Sequence, residues 1–123
     1  MKNIVVIGTG YVGLVSGAGM SDFGNNVCCV DVDKDKIDSL QNGIIPIYEP
    51  NLKELVDRNV KSKRLKFSIN IEDAIKSAEV IFIAVGTPED KNGNADLTYV
   101  LQVAELIGKS LNSYKVVCTK STV

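Results

Sequence analysis

Six residues near the N-terminus, Gly8-Thr9-Gly10-Tyr11-Val12-Gly13, carry the G-x-G-x-x-G spacing, and Asp31 lies eighteen residues past the last glycine. Alone, such a string is only a glycine-rich turn. Here an apolar run, residues 4–7, leads into it, a helical pattern opens inside it, and a second apolar run ends at Asp31. That context fits the binding of a dinucleotide. Gly8 permits a tight turn out of the first strand, Gly10 lets backbone approach a pyrophosphate, and Gly13 lets the first helix pack closely on the sheet. The N–H groups around Tyr11 and Val12 are expected at a helix N-terminus, where unpaired donors and the dipole favour an anion. Asp31 is expected to accept hydrogen bonds from the adenosine ribose hydroxyls. A 2′-phosphate would face that carboxylate, so NAD is favoured over NADP, with Lys34 and Lys36 near enough to soften the preference.

Two further polar groups follow apolar runs. Gly86-Thr87-Pro88 comes directly after residues 80–85, and Lys120-Ser121-Thr122 comes after residues 116–118. If the runs are strands in the order 3-2-1-4-5, both groups sit at the carboxyl edge, beside the crevice between the first and fourth strands. The sequence has no histidine, and its three cysteines (Cys28, Cys29 and Cys118) have no metal-ligand spacing. No metal site is expected. The cysteines lie in apolar runs and read as buried, reduced thiols.

The elements that must hold these residues follow from periodicity. Residues 4–7, 27–30, 80–85 and 116–118 are continuously apolar, with a weaker run at 65–67, as suits strands buried on both faces of a parallel sheet. Between them, Val12, Val15, Gly19 and Phe23 share a helical face. Asp33 is placed to cap a helix with Ile37 and Leu40 inward. Asn51 and Glu54 form a potential capping box ahead of Leu52, Leu55 and Val56. Ile71, Ala74, Ile75 and Ala78 make a fourth helix. Leu97, Val100, Leu101, Ala104, Ile107 and Leu111 make a fifth, behind Asp96. This alternation predicts an α/β fold: a Rossmann-type doubly wound parallel sheet in three α/β/α layers, spanning residues 1–123 as one dinucleotide-binding domain.

Composition narrows the classes further. With 123 residues, 45% hydrophobic and 24% charged, the chain is long enough for one core. A formal charge of −1 provides no footprint for nucleic acid or an anionic membrane, and no apolar run approaches the ~20 residues of a spanning helix. A cytoplasmic protein is expected.

Several strings together resemble one family. Gly8-Thr9-Gly10-Tyr11-Val12-Gly13-Leu14, Pro46-Ile47-Tyr48-Glu49-Pro50-Asn51-Leu52, Phe82-Ile83-Ala84-Val85-Gly86-Thr87-Pro88, Ala95-Asp96-Leu97 and Lys120-Ser121-Thr122-Val123 are similar to strings of the UDP-glucose/GDP-mannose dehydrogenases. Tyr48 leans toward the UDP-glucose branch. The resemblance implies NAD-dependent oxidation of a sugar-nucleotide alcohol to the acid in two hydride transfers, through a cysteine thiohemiacetal and thioester. It implies Gly8, Gly10, Tyr11, Val12 and Gly13 at the pyrophosphate, Asp31 and Lys36 at the adenosine ribose, and Val85, Gly86 and Thr87 near the nicotinamide. Thr122 matches a hydroxyl near the reacting carbon, in an auxiliary catalytic role.

The family's nucleophilic cysteine and its sugar-binding residues belong to a later segment, which nothing here matches. The chain therefore reads as the N-terminal, cofactor-binding part of a longer, homo-oligomeric enzyme acting on UDP-glucose in nucleotide-sugar and polysaccharide precursor synthesis, inactive alone. GDP-mannose or another UDP-sugar is the alternative substrate, and a nonenzymatic NAD-sensing module is the alternative of another class. Asn51 departs from the glycine usual after Pro-Ile-Tyr-Glu-Pro, which touches only local loop geometry.

Overall fold

The unbroken apolar runs become the strands of a single parallel sheet. A computed structural model describes residues 2–45, 49–85, 91–94, 97–110 and 115–119. The elements follow in the order β1 (Asn3–Ile7), α1 (Tyr11–Asp22), β2 (Asn26–Val30), α2 (Lys34–Gln41), α3 (Leu52–Lys61), β3 (Leu65–Ser68), α4 (Ile71–Ser77), β4 (Val80–Ile83), α5 (Thr98–Ser110) and β5 (Val116–Thr119). The spatial order is β3-β2-β1-β4-β5, every pair parallel, with Val5 opposite both Cys28 and Ile81. The order therefore reverses between β1 and β4, as expected for a doubly wound sheet.

Alternate residues of β1, β2 and β4 feed two separate cores, β3 adds Leu65 and Phe67 to one of them, and the edge strand β5 stays mostly exposed. Ile4 and Val6 of β1, with Val27 and Cys29 of β2, pack against Leu14 and Ala18 of α1, Ile37 and Leu40 of α2, and Leu52 and Val56 of α3. Val5 and Ile7, with Ile81 and Ile83 of β4, pack against Ile71 and Ile75 of α4 and Ile107 of α5. Each such aliphatic side chain, fully buried, contributes about 1.5–3 kcal/mol. Only one apolar stripe per helix is needed, and this makes the three layers.

The caps expected at α2 form: the Asp33 carboxylate accepts from the N–H groups of Asp35 at 3.1 Å and Lys36 at 3.2 Å. The capping box does not. Asn51 precedes α3 at φ +67° and its side chain makes no cap hydrogen bond. In this left-handed conformation, which asparagine tolerates better than most residues, it lacks the extended backbone from which a capping side chain works.

Two helices turn a different face inward from the one their large residues suggest. In α1 the buried residues are Gly13, Leu14, Gly17, Ala18 and Ser21, whereas Val12 lies at the surface and Phe23 is 91% exposed. The reason is proximity. A Cβ on Gly17 would stand 2.5 Å from the Cys29 sulfur, so the helix rides on β2 through its smallest residues. In α5, Ile107 is buried while Leu97 and Leu101 are exposed; Val103 and Leu106 supply the rest of the inward face. Asp96 and Leu111 lie outside the described residues.

Asn59 ties α1, α3 and the approach to β3 together. It is fully buried, donates to the Asp22 carboxylate at 3.2 Å and the Leu55 carbonyl at 2.9 Å, and accepts from the Arg64 guanidinium at 3.0 Å. Arg58 donates to the same Asp22 oxygen at 2.9 Å. The hydrogen bond from Arg58, followed by that from Asn59, holds the Asp22 carboxyl below its usual range.

Candidate cofactor site

At the carboxyl end of β1 the chain has three residues, Gly8 to Gly10, in which to turn before α1 begins. Gly8 does this at φ +110°, with its N–H donating to the Val30 carbonyl at 2.8 Å. A Cβ there would lie 2.6 Å from the Ala84 carbonyl oxygen, so the turn presses against the backbone just beyond β4. Gly13 is as tightly held: a Cβ would overlap the Gly8 carbonyl oxygen. Gly10 differs. It has ordinary extended dihedrals, and a Cβ on it would meet nothing within 4 Å. The sequence assigned these glycines a turn, an open approach and close packing, and the backbone geometry is consistent with each.

The open face at Gly10 is the start of α1. The first turn has no acidic residue, so nothing on the helix offsets its positive end. Tyr11 is exposed, and its hydroxyl donates to the Glu49 carboxylate at 3.1 Å. That hydrogen bond, reinforced by the negative charge of Glu49, holds the phenol above its usual pKa. The same bond brings the segment before α3 up to the helix N-terminus. Val12 is at the surface and Gly13 is buried.

Asp31 stands at the end of β2, next to this turn. Its Oδ2 accepts from the Thr9 N–H at 3.0 Å and the Thr9 hydroxyl at 2.8 Å, and its Oδ1 accepts from the Asp33 N–H at 3.1 Å. Partial burial is the largest influence on its pKa and acts upward. The Thr9 and Asp33 hydrogen bonds, with the charge of Lys36, outweigh it and leave the carboxyl below the usual range. Asp31 is therefore an anion at neutral pH. Lys36 is exposed on α2 beside it, while Lys34 pairs with Asp38 at 3.1 Å.

Thr9 is the residue that pattern reading missed. Its position as a variable residue of the glycine string hid it, yet it is 1% exposed. A hydroxyl directly after an apolar strand must find a partner, and the polar residue ending the next strand was a signal for which one.

Of the other expected site residues, Val85 packs into the core beyond β4, close to Gly8. Gly86, Thr87 and Thr122 lie outside the described residues, as do Pro46, Ile47 and Tyr48. The three cysteines are free, but only Cys29 is fully buried; Cys28 and Cys118 are half-buried. Burial pushes the Cys29 thiol well up, and raises that of Cys28 against the opposing charge of Lys66. Neither suits a nucleophile at neutral pH. Among the described residues no cluster of His, Cys, Asp or Glu is disposed to hold a metal, and no helix is long and apolar enough to cross a membrane.

A reversing parallel sheet, an unobstructed glycine turn opening a helix and an ionised carboxylate one strand away define a Rossmann-type dinucleotide-binding domain. The residues present fit NAD: a Cβ on Gly10 would meet nothing within 4 Å, and an acid, Asp31, stands where a ribose-binding carboxylate is expected. Residues 2–123 match the UDP-glucose/GDP-mannose dehydrogenase family, NAD binding domain. The chain belongs to this family. It is 58% identical, over its whole length, to the UDP-glucose 6-dehydrogenase TuaD of Bacillus subtilis (strain 168), and spans 27% of that relative. Among solved structures, a UDP-glucose dehydrogenase from Pyrobaculum islandicum superposes with a TM-score of 0.95 at 38% identity, covering 100% of this chain and 29% of that one. A GDP-mannose dehydrogenase from Pseudomonas aeruginosa, in a ternary complex, gives 0.94 at 37%, covering 98% and 28%. The chain thus spans little more than a quarter of each of these three relatives.

Proposed function

We propose that this chain is the cofactor-binding part of a UDP-glucose 6-dehydrogenase, which oxidises the C6 alcohol of UDP-glucose to the carboxylate with two NAD. The observation that carries the cofactor assignment is the Asp31 carboxylate, ionised and fixed beside an unobstructed Gly10. NAD, when bound, accepts the hydride from the substrate carbon. In this reading Gly8, Gly10, Tyr11, Val12 and Gly13 surround the pyrophosphate, with the first N–H groups of α1 as donors. Asp31 and Lys36 bind the adenosine ribose, and Val85, Gly86 and Thr87 border the nicotinamide. Thr122 positions water or stabilises developing negative charge.

The choice of UDP-glucose rests on the likeness to TuaD. None of Cys28, Cys29 and Cys118 is given the nucleophile's role, so residues 1–123 by themselves are expected to bind cofactor without turnover. The enzyme is placed in the cytoplasm, as a homo-oligomer that does not engage nucleic acid, supplying an acidic sugar nucleotide for polysaccharide synthesis.

The binding test is titration with NAD and NADP, with Asp31→Ala alongside. Tighter NAD binding that is lost in the variant is expected, and equal affinities unaffected by Asp31→Ala would sink the assignment. The activity test is NADH formation by the complete protein, with two NADH expected per UDP-glucose. NADH from GDP-mannose alone would transfer the protein to the other branch of the family. NAD binding with no sugar-nucleotide oxidation would favour a sensing module.

A further inference from the structure

The Asp31 carboxylate is already largely engaged. A carboxylate offers about four acceptor positions, two on each oxygen. Thr9 takes both on Oδ2, through its N–H at 3.0 Å and its hydroxyl at 2.8 Å, and the Asp33 N–H takes one on Oδ1 at 3.1 Å. One position, on Oδ1, stays open. Thr9 is buried, so its effect on any ligand passes through Asp31. Its hydroxyl would be costly to leave unpaired there, and its branched side chain has few rotamers in which to turn away.

We infer that Thr9 is a positioning residue for cofactor recognition: its paired donors lock Asp31 in one orientation and present a single Oδ1 acceptor to the ribose. The inference rests on the reading of this site as an NAD site. An acceptor fixed in this way suits a hydroxyl, which can donate to it. A 2′-phosphate cannot donate and adds negative charge, and it would be tolerated only if Asp31 swung aside. Thr9 resists that swing, so it sharpens the choice of NAD over NADP. Among the described residues, the charge acting on Asp31 is that of Lys36 of α2; Asp33 acts through its backbone N–H, and β3 contributes the Ser68 carbonyl, which accepts from the Asp31 N–H at 3.3 Å. Removing the Thr9 hydroxyl also removes a donor that favours the ionised form, which moves the acid limb of NAD affinity to higher pH.

Calorimetric titration of the protein with NAD and NADP tests this, using Thr9→Val, Thr9→Ser and Asp31→Ala. Thr9→Val should weaken NAD about tenfold, or about 1.4 kcal/mol, and NADP much less, narrowing the ratio between them. Thr9→Ser should restore both values to within about threefold, because it returns the donor. The acid limb should move upward in Thr9→Val alone of the two. Should that variant not fold, Thr9→Ala, which removes the same hydroxyl without adding a methyl in its place, is read by the same ratio: a narrowed NAD/NADP ratio is expected, and an unchanged one would overturn the inference. An unchanged NAD/NADP ratio in Thr9→Val, while Asp31→Ala loses it, would overturn the role of Thr9 and leave the NAD site standing. A protein with no preference for NAD and no response to Asp31→Ala would overturn both.

Discussion

Gly8 and Gly10 belong to one string, yet alanine at each should do opposite things. At Gly8 an L-residue must adopt φ +110°, which costs about 1–2 kcal/mol. Its Cβ would stand 2.6 Å from the Ala84 carbonyl oxygen, 2.8 Å from the carbonyl carbon and 3.0 Å from the Val85 nitrogen. All three are backbone atoms, so no rotamer relieves the overlap, and overpacking of this kind adds about 1–3 kcal/mol. Gly8→Ala should lose about 2–5 kcal/mol, and a loss of this size lowers Tm by about 10 °C or more in a domain of this length. Gly10 sits at φ −74° and ψ −167° with nothing within 4 Å of a Cβ. Gly10→Ala should leave stability unchanged or raise it by about 0.4–1 kcal/mol, through the less disordered unfolded chain. The new methyl occupies the approach to the α1 N–H groups. Loss of even one charge-assisted hydrogen bond weakens NAD about ten- to a hundredfold. Urea and thermal unfolding report the first quantity, and cofactor titration the second. Wild-type NAD affinity in Gly10→Ala, or equal destabilisation by the two substitutions, would refute the division of labour.

Other perturbations probe the scaffold. Asn59→Leu takes one acceptor from the Arg64 guanidinium, which keeps the Ser21 carbonyl, and one donor from Asp22, and should cost about 2–4 kcal/mol in urea unfolding with an unchanged m-value. Gly17→Ala should cost about 1–3 kcal/mol by pressing on the Cys29 sulfur; Cys29→Ala in the same chain should return part of it, with a coupling energy above about 0.5 kcal/mol in a double-mutant cycle. The Asp31 carboxyl is held below its usual pKa in the folded chain, so the stability it contributes is present above pH about 3.9 and is lost as pH falls through its lower native value. Asp31→Asn should therefore differ from the parent in unfolding free energy near neutral pH, and the two curves should converge in acid.

The inner strands were legible because they are apolar on both faces: a run such as residues 80–83 has no polar side to disguise it, and its length excludes a helix, whereas the equally apolar β5 lies at the sheet edge with Val116 and Val117 exposed. Asp31 was legible for a related reason, since a charge that ends a fully apolar strand has little structural excuse. The inward face of α1 was not. Hydrophobic periodicity finds a helix by its large residues, and α1 meets the sheet through Gly13, Gly17 and Ala18, so Phe23 drew the reading to the wrong side. Leu97 and Leu101 did the same at α5. Asn51 misled through chemistry that serves equally as a cap or as a left-handed turn. Thr9 escaped because glycine motifs are read by their glycines.

The Gly17–Cys29 contact has a reach beyond its own packing. Gly17 at the middle of α1 and Cys29 of β2 act as a fulcrum on which the whole rod rests, and the far end of that rod carries the N–H groups facing Gly10. A methyl added at Gly17 must push against the Cys29 sulfur, and a tilt of the rod in response should reach donors about a turn and a half away. Tuning of cofactor grip is therefore available at positions that never meet the cofactor. Variation between 17 and 29 should be tolerated only as matched pairs, a bulkier residue on one side answered by a smaller one on the other.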